Sequence, residues 1–162
     1  MKNAIFLTLA LLLINLEINA QSESNSDNTL NYDHGFSAEV FNQGGYGFGI
    51  GGLIGKNLGN KTKANYSMGI YTDVIMGDSP IISPRVKFIL NHSGILGIGV
   101  NFANNYRSGE NDFRITPEVN FSLFGIVNLY LGYSFNVNNN AFKDLSEYRI
   151  GVNINFIKNN RR

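Results

Sequence analysis

The chain has no cysteine and no tryptophan, only two histidines and three prolines, and no long apolar run beyond its first residues. Without cysteine it has no disulfides to brace an exported domain and no lipid attachment point behind an export signal. His34 and His92 lie far apart, so no cofactor or metal is expected from ligand spacing. Lys and Arg number 13 against 12 Asp and Glu, which gives no argument for nucleic acid. No internal segment stays apolar over the roughly 20 residues that a membrane-spanning helix needs.

The N-terminus carries the three parts of a secretory signal. Lys2 supplies positive charge, residues 4–14 form an apolar core, and Ile18-Asn19-Ala20 precedes a polar stretch. That core is too short to span as a helix, so residues 1–20 are expected to be a signal peptide removed after Ala20. Removal leaves 162 − 20 = 142 residues, a one-domain length. One Lys and one Glu leave with it, so 12 basic and 11 acidic residues remain, net +1. Residues 21–34 are polar and aperiodic, and are expected to form a flexible leader.

From there the chain alternates apolar and polar residues. Phe113, Ile115, Pro117, Val119, Phe121 and Leu123 interleave with Arg114, Thr116, Glu118, Asn120 and Ser122. Successive side chains on a strand point to opposite faces, so each such run has one greasy and one polar face. Eight strands are expected, over 35–42, 45–55, 64–76, 81–91, 95–104, 112–124, 126–137 and 147–157. Three connections are expected to be long, at 56–63, 105–111 and 138–146. Most runs suit the ~9–11 tilted residues of a transmembrane strand and exceed the ~5–6 of a soluble one. With the export signal, the fold class expected is all-β, a transmembrane β-barrel.

The polar faces hold many glycines and most strand charges: Glu39, Asp73, Arg85, Lys87, Arg114, Glu118 and Arg149. Charges beneath a lipid-facing surface must point inward, so these seven are expected to pair in a lumen network. Pro84 and Pro117 interrupt strand runs and are expected at bulged or widened pairs. Phe36, Tyr66, Phe102, Phe113, Phe135 and Tyr148 are candidates for interfacial girdles.

The last run contains Arg149, Gly151, Ile154 and Phe156, a polar–glycine–hydrophobic–aromatic spacing that resembles the C-terminal insertion signal of bacterial outer-membrane β-barrels. Together with the signal and the eight runs, residues 35–157 resemble the small outer-membrane β-barrel domain proteins. The resemblance implies an eight-stranded antiparallel up-and-down barrel in the outer membrane of a Gram-negative bacterium. It also implies insertion by the barrel assembly machinery and both termini in the periplasm. A monomer is expected, with outer-membrane lipids as its surroundings. The chain departs from the pattern in continuing past Phe156 into a basic tail, 158–162, with Lys158, Arg161 and Arg162 near anionic head groups or aiding solubility.

Some barrels of this size modify lipid A, but those related to the deacylase place His and Ser two apart on a strand. Here His92 and Ser93 are adjacent, in an expected turn, and no orienting acid is placed beside them. No catalytic residue is assigned. Loop residues Tyr106, Arg107, Glu110, Phe142 and Lys143 are the candidate outside contacts. The expectation is a non-enzymatic barrel with a filled lumen and a structural or surface-interaction role. The alternatives are a narrow pore, then a soluble exported barrel with greasy residues inward around an apolar ligand, then a lipid-modifying enzyme.

Overall fold

The computed structural model describes residues 32–56, 58, 64–92, 95–123, 126–138 and 141–158. The expected signal peptide 1–20, most of the leader 21–34, Ser93, Arg161 and Arg162 lie outside them. The strands are β1 (Asp33–Asn42), β2 (Tyr46–Lys56), β3 (Asn65–Ile75), β4 (Ile81–His92), β5 (Leu96–Arg107), β6 (Glu110–Leu123), β7 (Val127–Tyr133), β8 (Phe135–Asn136) and β9 (Tyr148–Lys158). β7 and β8 lie end to end along β6, so the nine segments make eight staves. Each stave pairs antiparallel with its sequence neighbours, and β9 pairs with β1 to close the barrel. Closure gives each stave a paired neighbour on both sides, save for the short β8 segment, which pairs with β6 alone.

Alternation fixes which face looks where. Phe36, Val40, Ile50, Ile70, Val119, Leu131, Ile150 and Ile154 face outward and are exposed. Glu39, Asp73, Arg85, Lys87, Arg114, Glu118 and Arg149 face inward and are buried. A single-residue slip would exchange these sets on a strand, so its register is strongly fixed.

Both strand prolines, Pro84 and Pro117, fall where the sheet is interrupted on one side. Ser83 and Pro84 fall in a gap of the β4–β5 ladder, between the pairs Ile82↔Tyr106 and Arg85↔Ala103. Thr116 and Pro117 fall in a gap of the β6–β7/β8 ladder, between Ile115↔Phe135 and Glu118↔Gly132. A proline has no amide hydrogen to give its neighbour, and the break at Ser134 that splits the expected strand 126–137 falls in this gap, opposite Thr116 and one residue from the level of Pro117.

Three expectations need correction. The long loop at 105–111 is instead a two-residue hairpin turn, because β5 runs to Arg107 and β6 starts at Glu110. Ser108 and Gly109 both have positive φ, 51° and 86°, the backbone of a tight hairpin turn with inverted twist. The leader ends earlier than expected, since Asp33 and His34 pair with Gly55 and Ile54 in β1. The Asp33 carboxylate accepts a hydrogen bond from the Leu58 amide at 2.9 Å, which ties that end of β1 to the β2–β3 connection. His92 is the last residue of β4, not a turn residue.

Candidate functional site

The inward faces of β1, β3, β4, β6 and β9 converge on a buried ion network. Arg85 donates from Nε to Asp73 Oδ2 at 2.9 Å, from Nη2 to Asp73 Oδ1 at 3.1 Å, and from Nη1 to Asn101 Oδ1 at 2.7 Å. Its Nη2 also reaches Glu39. Arg149 approaches the same two acids from the opposite wall, with Nη2 at 2.8 Å from Asp73 Oδ2 and bonded to Glu39. Its Nη1 donates to Gln43 Oε1 at 3.2 Å. Lys87 Nζ stands 2.7 Å from Glu118, and the Asn101 amide links Glu118 to Arg85. Three acids thus face three bases, a neutral set in which each charge has an opposite partner.

Aromatic rings fill the space between them. The Arg149 guanidinium lies 3.5 Å from the Phe41 ring centre, Arg85 lies over Tyr71 at 4.4 Å, and Lys87 over Tyr130 at 4.3 Å. Such faces attract cations most where water is excluded. Glycine makes the room: a Cβ on Gly49 would fall 2.2 Å from Asp73 Oδ1, and one on Gly151 would fall 2.5 Å from Tyr130 Oη.

Arg114 belongs to a different cluster. It donates from Nε to Asp112 Oδ2 at 2.9 Å and from Nη1 and Nη2 to the carbonyls of Leu145, Ser146 and Phe142 at 3.0–3.2 Å. Asp112 in turn accepts from the Phe142 amide at 2.8 Å. Together they draw the β8–β9 connection over the barrel mouth, where Phe142 and Leu145 pack with Phe41, Ile75, Ile81 and Tyr130. Phe142 is therefore a buried plug residue and not an outward contact, because it covers an apolar lumen end that water would otherwise wet. Arg107 stacks over its ring at 4.4 Å and bonds Asp144 with both guanidinium ends. Those hydrogen bonds hold the Asp144 carboxyl below its ordinary range. Tyr106, Glu110 and Lys143 are exposed at this end.

The other half of the lumen is amide-lined. Asn91 donates to Asn65 at 2.8 Å, Asn128 to Asn153 at 3.1 Å, and Asn153 to Ser37. A recess there, between Leu53, Leu58, Asn65, Tyr71, Asn91 and Asn128, holds about 20 Å³, near the size of one water. Asp112, Asn101, Gln43 and Tyr130 were not among the sequence candidates. Asp112 shares the parity of Arg114 on the same run, so alternation alone marks it as an inward charge.

Of the insertion-signal residues, Arg149 and Gly151 point into the lumen while Ile154 and Phe156 point outward. Among the described residues no His, Asp and Glu cluster has three or more members able to hold a metal. The reading with greasy side chains around an apolar ligand does not fit, since the centre of the lumen is ionic and amide-rich, its apolar end is filled by Phe142 and Leu145, and most apolar strand residues lie outside. No protein-family model, curated protein or solved structure matches the chain.

Proposed function

We propose that this chain is a monomeric, non-enzymatic outer-membrane β-barrel with a sealed lumen, in a structural or surface-interaction role. The observation that carries the reading is its inverted burial: apolar residues form the outer surface while ion pairs fill the centre. In water such an exterior would be a contiguous apolar patch far beyond what monomers expose, whereas acyl chains solvate it. On β6 the outward apolar residues run from Phe113 to Leu123. Ten steps of ~3.4 Å tilted by ~40° give a height of ~26 Å, close to the ~25 Å apolar band of known barrels.

Aromatics sit near both ends of that band, with Phe36 and Tyr66 toward the termini and Phe113, Phe135 and Tyr148 toward the capped mouth; Phe102 sits mid-strand. Ile154 and Phe156 on the closing strand are the residues the barrel assembly machinery would engage, and Tyr106, Arg107, Glu110 and Lys143 are the surface residues open to an external partner. The test is fractionation with gel mobility measured before and after heating. A membrane-fraction protein whose unheated form runs at a different apparent mass is expected. A soluble protein with heat-independent mobility would refute the reading.

A further inference from the structure

The charges on the outside of the barrel are sorted by end, which the membrane reading does not by itself require. Among the described residues, the four exposed acids, Asp78, Glu110, Asp144 and Glu147, all lie at the capped mouth. The outward bases there are Arg107, which is tied to Asp144, and Lys143. At the opposite end, which carries both chain termini, the outward charges are Lys56 and Lys158, with His34 and His92 beside them and no outward acid among the described residues.

Lys158 stands directly opposite His34 across the β1–β9 closure, and both are exposed. One step toward the apolar band on the same face, Phe36 and Phe156 stack with ring centres 4.5 Å apart. These four residues, with Gly35 and Ile157, line an open groove. A Cβ at Gly35 would sit 2.2 Å from the Phe156 carbonyl oxygen, so glycine lets the two strands close under it. On the next strand Lys56 stands opposite Tyr66. In sheet coordinates Lys56 and Lys158 are two strands and two residues apart, on the order of 12 Å.

We infer that this rim binds the head-group phosphate of an anionic glycerophospholipid, with Lys158, His34 and Lys56 as its donors and the stacked Phe36–Phe156 pair against the adjoining chain. The inference rests on the membrane reading above and is compatible with the periplasmic termini that the resemblance implies. Charge complementarity selects the occupant, because two ammonium groups and an imidazole edge meet the boundary of an apolar band with no outward acid among the described residues to neutralise them. A basic residue at a membrane surface favours an anionic lipid about fivefold.

The experiment is native mass spectrometry of the folded protein, purified from membranes in neutral detergent and titrated with phosphatidylglycerol or phosphatidylcholine of matched chains. Wild type is expected to retain phosphatidylglycerol preferentially, by about fivefold for each lysine engaged. The Lys56→Gln/Lys158→Gln double variant, checked for heat-modifiable mobility, should lose that preference, and Lys143→Gln at the other end should keep it. Equal retention of the two lipids by wild type would overturn the inference and leave the membrane reading standing. So would a folded double variant that keeps the preference. A protein absent from the membrane fraction overturns both.

Discussion

Arg85 ties three inward residues from three strands into one knot, Asp73, Glu39 and Asn101. Replacing it with leucine leaves Glu39 and Asp73 with Arg149 alone, and removing one member of a buried ion set costs about 3–5 kcal/mol. Urea unfolding of Arg85→Leu in lipid vesicles should register that loss. Gly49→Ala places a methyl group against Asp73 and Glu39, and should cost about 1–3 kcal/mol by the same assay as the knot is pushed apart. Val119→Arg puts a charge at mid-strand on the outer face, and under the proposed membrane reading it should cost about 2–4 kcal/mol at the bilayer midplane by the same assay. At this scale the facing of each charge was legible from alternation, but its partner was not. Arg114 and Glu118 share a strand face four residues apart, roughly 13 Å, so they never meet. Glu118 finds Lys87 instead, and that pairing depends on cross-strand registers that a single run of residues does not carry.

The β8–β9 connection behaves as one element because Arg114, Asp112 and the Arg107–Asp144 bridge hold it at separate points. Arg114→Leu is therefore expected to free the plug while Lys87 and Asn101 still hold Glu118. Trypsin should then cut at exposed Lys143 faster than in wild type, with heat-modifiable mobility retained. The Arg107–Asp144 bridge is exposed and adds a pH dependence. Since the Asp144 carboxyl is held below its ordinary range, the bridge is complete above that range and is lost only as pH falls through the lowered value. A spin label at position 141 should gain mobility only in acid beyond ordinary carboxylate titration, and Arg107→Ala should abolish the transition. The hairpin at Ser108–Gly109 escaped sequence reading because polarity on both faces of 104–111 resembles a loop. Polar residues there mark strands that continue past the apolar band, with a turn set by two left-handed residues. The break at Ser134 was hidden for a related reason, since it lies in a ladder gap whose other side, Thr116 and Pro117, is on the neighbouring strand.

For the molecule as a whole, the eight-stave barrel followed from the sequence because a two-residue period states its inside and outside at every position. Closure, the mouth plug and the end-to-end sorting of charge emerge only once the strands are paired. Under the proposed function the outer face meets acyl chains and the ion-filled interior is sealed from water. The chain has no native cysteine, so single cysteines can be placed without background and spin-labelled in vesicles. The decisive measurement is collisional accessibility at consecutive positions along β6 around Val119. Odd-numbered positions from 115 to 121 are expected to be open to oxygen and closed to a water-soluble relaxant, while Thr116 and Asn120 are expected to be closed to both. Free access of the water-soluble relaxant to Val119 or to the interior positions would contradict the proposed function.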